Sequence, residues 1–180
     1  MVPTHNTRTA SENLAKLILD AGGGAWAILA PTFGDARKVC VEGGSGILKA
    51  LGKHVPKGGW RSSVGEIHVA NGAVIYIDGA DDGANRIQGT NLCGAWCDEI
   101  GLWRRTQWEH AWNESLSFAV RLDPGRIIAT GTPKVGHGLV RKLLHDPAVM
   151  KTHMSTYDNL ANLHPAAVAE LEAAYKGSRL

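Results

Sequence analysis

The chain has 180 residues, 44% of them apolar and 20% charged, which gives room for one ordinary domain or part of a larger one and excludes wholesale disorder. Nineteen Lys and Arg against seventeen Asp and Glu leave a net charge of +2, so no general attraction draws the surface to DNA or anionic lipid, and any nucleic-acid contact is local. No stretch approaches the roughly 20 apolar residues of a membrane span, the N-terminus lacks the apolar core of a signal peptide, and Cys40, Cys93 and Cys97 sit as an odd count in apolar surroundings. These features fit a reducing, cytosolic compartment and buried thiols better than a disulfide framework.

From Arg8 to Ala21 the residues Ala10, Leu14, Leu17, Ile18 and Ala21 recur at helical spacing, and Gly22-Gly23-Gly24 stops the helix. The run Ala25 to Ala30 is continuously apolar up to Pro31, as a parallel strand covered on both faces requires. A polar helix is expected from about Asp35, then a flexible Gly43-Gly44-Ser45-Gly46, a short helix from Ile47 to Leu51, and loop over 52–65. Glu66 to Val69 and Val74 to Ile77 flank Asn71-Gly72, whose tolerance of positive φ predicts an antiparallel hairpin. Leu92 to Cys97 reads as a central strand ending in Asp98-Glu99, Gln107 to Val120 as a helix, Ile127 to Thr130 as a strand, and Leu139 to His145 as a helix. Val149 to Ser155 reads as a further strand and Pro165 to Tyr175 as an alanine-rich helix with proline at its start and Gly177 behind it. This alternation predicts an α/β fold.

Ligands in open α/β sheets gather beyond the carboxyl ends of strands, so polar residues directly after apolar runs are the first candidates. One such tip is Asp98-Glu99, where one carboxylate can hold Mg²⁺ through its water shell and the next can orient an attacking water. The bland alternative is a pair of solvated turn acids. The second tip is Thr130-Gly131-Thr132-Pro133, whose hydroxyls can sense a γ-phosphate; its bland alternative is a plain strand-to-helix turn. In order, the two tips are what a nucleotide hydrolase with an additional sensing strand presents.

At these residues the sequence resembles the large terminase subunit of tailed bacteriophages, the motor that pumps DNA into the capsid. Ala30-Pro31-Thr32, Asp35-Ala36-Arg37 and Glu42 to Leu48 resemble the segment after that family's first helix. Arg86-Ile87-Gln88-Gly89, Gly94 to Glu99, Trp103, Trp108, Trp112 and Thr130 to Lys134 follow in family order. Ser155 to Asn159, Asn162-Leu163 and Tyr175 to Leu180 are similar to the end of the motor domain. The resemblance implies a P-loop NTPase-like, additional-strand fold with a mainly parallel sheet and flanking helices. It implies ATP and Mg²⁺ as ligands, Asp98 in the Walker B position holding the metal, Glu99 as the catalytic carboxylate, and Thr130 to Pro133 as the coupling segment. Implied partners are double-stranded DNA, a portal protein, a small terminase subunit and a homo-oligomeric ring in the cytoplasm of a bacterial host.

The resemblance also marks departures. The phosphate loop, G-x-x-x-x-G-K-[ST], belongs directly before the first helix, yet only Thr7 can fill its last position, as the hydroxyl for Mg²⁺. The lysine, most of the loop, the first strand and the nuclease domain are expected to be absent, making residues 7–180 a partial motor domain. Met1-Val2-Pro3-Thr4-His5-Asn6 ahead of Thr7 resembles the last residues of an intein, in which Asn6 would cyclise, His5 assist and Thr7 act as nucleophile. The plain alternative is a loop and N-cap before the helix. The intein reading calls for an upstream fragment carrying the phosphate loop.

Arg86 resembles an arginine that stabilises phosphoryl-transfer charge from a neighbouring subunit, although a solvated arginine fits as well, and Arg104-Arg105, Arg121 and Arg126 have similar claims. Trp26 and Trp96 fall within strand runs and read as core, while Trp103, Trp108 and Trp112 read as packing at near-helical spacing. The eight histidines form no ligand cluster. The expected function is the ATPase part of a packaging motor, inactive without the missing lysine. Its rivals are another Asp-Glu ATPase such as a helicase fragment and a non-catalytic assembly remnant.

Overall fold

The computed structural model describes residues 5–134, 136–153, 166, 168 and 169. Helix α1 (His5–Ala21) leads through the glycine stop into β1 (Ala25–Ala30), whose alternate side chains point to opposite faces of the sheet. Trp26, Ile28 and Ala30 enter one core with Ala10, Leu14 and Ile18 of α1, while Ala27 and Leu29 enter a second core with Trp103, Trp112, Leu116 and Leu139. This two-sided burial is why the run is apolar without alternation.

After β1, Thr32 caps α2 (Phe33–Asp35) by accepting from the Asp35 N–H at 3.1 Å. The helix then widens over Ala36–Val41, where the Glu42 N–H reaches back five residues to the Arg37 carbonyl at 2.9 Å. The short α3 (Ile47–Leu51) follows and packs on α1. The expected loop over 52–65 holds a single 3₁₀ turn, Gly52–His54, and the two-residue strand β2 (Trp60–Arg61). The predicted hairpin is β3 (Glu66–His68) and β4 (Val74–Gly79), antiparallel with Ile67 opposite Ile75.

Strand β5 (Gly94–Cys97) is fully buried, and Leu92 joins Val120 in an isolated parallel bridge ahead of it. The predicted helix over 107–120 is continuous but mixed: α4 (Arg105–Trp108), a π-type stretch over Glu109–Leu116, and α5 (Ser117–Ala119). Strand β6 (Arg126–Ala129) and α6 (Gly138–His145) complete the described elements. The sheet order is β2-β3-β4-β1-β5-β6, with β4, β1, β5 and β6 mutually parallel and the β2-β3 ribbon antiparallel at one edge. Helices on both faces make this a three-layer α/β fold.

Two expectations meet different outcomes. Residues 149–153 form no strand, and Met150 is 92% exposed; a strand exists through hydrogen bonds to a neighbour, and none is paired with this segment. Residues 154 and 155 of that expected strand lie outside the described residues, as does most of the expected helix 165–175, of which 166, 168 and 169 are helical.

Candidate functional site

Parallel register brings the candidate residues together. Cys97 pairs with Ala129, so the residues that follow, Asp98 and Thr130, leave the sheet side by side at the carboxyl edge of β5 and β6. The Thr130 hydroxyl donates to Asp98 Oδ1 at 2.7 Å and accepts from the Trp96 indole Nε1 at 2.9 Å. Asp98 is only 4% exposed. Burial pushes its carboxyl above the usual range, against the opposing pull of the Thr130 hydroxyl, the Cys40 thiol, the Glu99 N–H and the Trp96 N–H. Cys40 and Cys97 are pushed upward by burial and then by the Asp98 charge, so both stay thiols.

Glu99 is half-buried and left-handed, with φ +48°, an uncommon state for a residue with a side chain. Its carboxyl is raised first by burial and next by the Asp98 charge, and is held down by the Thr132 N–H and the Lys134 charge. The two tips therefore touch twice, through the Thr130 hydroxyl to Asp98 and through the Ile100 N–H to the Thr130 carbonyl at 3.0 Å. Gly131 makes this approach possible: at φ +152° a Cβ there would lie 3.1 Å from the Ile100 nitrogen and 3.2 Å from the Glu99 Cα. Thr132 and Pro133 are exposed beyond it.

Behind the tips, Trp103 Nε1 donates to the Asp98 carbonyl at 3.0 Å. His137 accepts the Val140 N–H at Nδ1, which leaves Nε2 to carry the proton and donate to the Trp103 carbonyl at 2.7 Å. Among the described residues no group of three or more His, Cys, Asp or Glu could hold a metal. The donor set of one buried carboxylate beside hydroxyls fits Mg²⁺, which keeps water and phosphate oxygens as most of its ligands, and does not make an all-protein cage.

Thr7 is buried in the first turn of α1, the helix that packs against β5 and β6. Asn6 and His5 occupy the same first turn, and residues 1–4 lie outside the described residues. Arg86 is committed elsewhere: its guanidinium stacks 4.4 Å over the Phe33 ring and donates to the Ile77 carbonyl at 3.2 Å.

Three participants escaped the sequence reading. Asp78 closes β4 as a 2% exposed carboxylate that accepts from the Gly79 N–H at 2.9 Å and the Arg86 N–H at 2.8 Å, and burial raises its carboxyl. It too follows an apolar run, Val74 to Ile77, so the strand-tip rule would have found it. Cys40 and the Trp96 N–H left no such signal, because both look like ordinary core in sequence.

The sequence profile of the large terminase subunit, T4likevirus-type, N-terminal region, matches residues 6–179. No curated protein matches the chain. Among solved structures, the large terminase of a thermophilic bacteriophage superposes with a TM-score of 0.67 at 18% identity, covering 93% of this chain and 42% of that one. The same phage protein in complex with ATP-γ-S gives 0.62 at 18% identity over 93% of this chain and 41% of that one. The ATPase domain of the Thermus phage P74-26 large terminase gives 0.57 at 15% identity over 94% of this chain and 75% of that domain. This chain thus spans about two fifths of the length of the thermophilic phage's large terminase. The profile match over nearly the whole chain, on an α/β sheet of the same P-loop NTPase-like architecture, makes it a member of the terminase large subunit family, in the T4likevirus-type N-terminal region.

Proposed function

We propose that this chain is the ATPase portion of a phage DNA-packaging motor, with its triphosphate cleft at the Asp98-Glu99 and Thr130-Pro133 tips. The observation that carries the reading is the double contact between the tips, the Thr130 hydroxyl to Asp98 at 2.7 Å and the Ile100 N–H to the Thr130 carbonyl at 3.0 Å. Solvated turn acids would have neither burial nor partners.

In this reading Asp98 and the Thr7 hydroxyl hold Mg²⁺, which neutralises phosphate charge when bound. Glu99 orients the attacking water and takes its proton as the γ-phosphoryl group leaves for water, a contribution of roughly 10²–10⁴ in rate. A carboxyl already raised by burial is suited to that task. Thr130 lies between the sheet and Asp98, so loss of the γ-phosphate shifts the Thr130 to Pro133 bend and reports hydrolysis to the parts that grip DNA. Arg86 would act on a neighbour's phosphates only after leaving Phe33 and the Ile77 carbonyl. The phosphate-loop lysine comes from an upstream segment joined at Thr7, through splicing chemistry in which His5 and Asn6 take part. The working assembly is a ring of such subunits on double-stranded DNA, with a portal protein and a small terminase subunit, in the bacterial cytoplasm. No helix of the described residues is long and apolar enough to cross a membrane.

The test is ATP turnover by this chain after the upstream segment carrying Gly-Lys is supplied, compared with the chain alone. Turnover is expected only in the completed protein and only with Glu99 intact. Turnover by the isolated chain that persists in Glu99→Gln refutes both assignments. For the junction, mass spectrometry should find a ligated product through Thr7 that disappears in Asn6→Ala.

A further inference from the structure

The backbone of the segment that follows Asp78 is fixed firmly even though several of its side chains are exposed. The Asp81 N–H donates to the Pro31 carbonyl at 3.1 Å, the Ser115 hydroxyl donates to the Gly83 carbonyl at 2.7 Å, and Ala80, Ala84 and Ile87 have no exposed surface. Ala84 is left-handed at φ +57°, a state that an alanine keeps only where its surroundings over-determine it. Two residues on, the Arg86 N–H donates to Asp78 Oδ2 at 2.8 Å, while Asp78 Oδ1 accepts from the Gly79 N–H at 2.9 Å. One carboxylate, 2% exposed at the end of β4, thus grips both ends of the loop.

The Arg86 side chain is held differently. Its guanidinium lies 4.4 Å over the Phe33 ring and donates to the Ile77 carbonyl at 3.2 Å. Gly65 keeps this seat open, because a Cβ there would stand 2.7 Å from Arg86 Nη1 and 3.0 Å from the Phe33 ring. Each of these contacts is with a neutral group, and among the described residues no carboxylate forms an ion pair with Arg86. A guanidinium presents five donors in a fork that suits carboxylate or phosphate, so the seat leaves its charge and most of its donors unused. A phosphate offers the guanidinium more than the seat does, and the Asp78 bond keeps the backbone in place whichever of the two the side chain takes. The place is also apt. Leu29 pairs with Asp78 on one side and Cys97 on the other, so Asp78 stands level with the residue before Asp98, two strands or roughly 10 Å away, at the same edge of the sheet.

We propose that Asp78 is a positioning residue for Arg86: by fixing the Arg86 backbone it confines the travel of the guanidinium to its own side chain, between the neutral seat on Phe33 and the phosphates that the arginine serves. The phosphate half rests on the triphosphate reading and the role given to Arg86 above; the anchor and the seat do not.

The anchor and the seat are read in the full chain by NMR. Asp78→Leu keeps the branched shape and removes both acceptors, so exchange of the Arg86 amide should speed up by about tenfold or more. Phe33→Leu should abolish the upfield shift that the ring imposes on the Arg86 Nε–H and leave the amide protected. Protection that persists in Asp78→Leu overturns the proposal. Protection lost in Phe33→Leu overturns it as well, since the seat and not Asp78 then holds the loop, and this variant decides even if Asp78→Leu does not fold. Turnover in the protein completed by its phosphate loop tests the purpose. Asp78→Leu should lower kcat by roughly 10²-fold with the KM for ATP unchanged. Arg86→Ala should lower it by roughly 10³–10⁵, and the double variant no further than Arg86→Ala alone, because a residue that acts through another adds nothing once the other is gone. Losses that multiply in the double variant make Asp78 merely structural and overturn the proposal while the role of Arg86 stands. Full turnover in Arg86→Ala refutes that role itself, and the purpose assigned to Asp78 falls with it.

Discussion

Replacing Thr130 by valine keeps the side chain's shape and removes only its hydroxyl, which serves two buried partners at once. Asp98 Oδ1 loses a hydrogen bond made to a charged group, worth about 1.5–3 kcal/mol. The Trp96 Nε1, on a side chain with no exposed surface, loses its acceptor at a cost of about 1–3 kcal/mol. Because the two share one hydroxyl the costs do not simply add, and a net loss of about 3 kcal/mol is expected. For a domain of this size that lowers the melting temperature by roughly 6–12 °C. Thr130→Ser keeps the hydroxyl and should cost under about 1 kcal/mol. The pH dependence gives a second signature. Removing a donor to the charged form raises the folded carboxyl of Asp98 still further, so the extra loss sets in as pH rises through the wild-type folded value, itself above the ordinary carboxylate range near 4, and is complete above the variant's still higher one. Below that range Asp98 is protonated in both states and only the Trp96 share remains. Urea unfolding followed by tryptophan fluorescence at pH 4 and pH 8 measures all of this. Equal losses for the valine and serine variants, or equal valine losses at the two pH values, refute the relay.

Asp98→Asn should stabilise the fold, because it removes a buried charge while Oδ1 still accepts from Thr130; urea midpoints should show a gain near zero in acid that grows with pH to a plateau, each pKa unit of elevation counting about 1.4 kcal/mol. A gain largest at low pH contradicts the burial account. Glu99→Gln in the protein completed by its phosphate loop should lower kcat by roughly 10²–10⁴ with ATP binding retained, measured by phosphate release and by nucleotide titration. Gly131→Ala meets a strained φ and the Glu99 backbone at 3.2 Å, so calorimetry should find a loss of about 1–3 kcal/mol, and an unchanged melting temperature shows that the bend does not need glycine. Arg86→Ala removes the contact with Phe33 and the bond to the Ile77 carbonyl, so unfolding should report a modest loss of about 1 kcal/mol in the isolated chain, before any neighbour is present.

What the sequence made legible depended on how many structural demands a residue answered. Ala25 to Ala30 was readable because burial on both faces leaves an unbroken apolar run. Asp98 and Glu99 were readable because that kind of run ended in acids. Asp78 has the same signature, but the Asn71-Gly72 turn marks its strand only as half of an antiparallel hairpin; the structure uses β4 twice, pairing Ile75 with Ile67 on one side and with Trp26 on the other. A strand that closes a hairpin and opens a parallel sheet shows one turn signal and conceals the second partner. The widened helical turns at Ala36–Val41 and Glu109–Leu116 were not readable, since slipping a hydrogen bond from four residues to five leaves no trace in a periodicity sampled over so few positions. Trp96 was correctly placed in the core, yet what it contributes to the site is an N–H direction, which a hydrophobicity pattern does not encode.

The alternative that the acids are ordinary turn residues makes a structural claim that differs from the motor reading at three residues. A solvated turn acid lies in water, titrates in the usual range and adopts a relaxed backbone. Asp98 is buried with its carboxyl raised, Glu99 is raised and left-handed, and Gly131 lies so near the Glu99 backbone that a Cβ would crowd it at 3.2 Å. Each of these features costs stability, and the fold offsets the cost locally, with a threonine hydroxyl and a cysteine thiol directed at one carboxylate and an indole N–H donating to that hydroxyl. An apolar replacement of Asp98 would release that expense at a stroke. Its place at the carboxyl edge of the sheet, beside a second raised acid and an open β6, follows if the charge is there for a ligand that only the completed cleft can hold.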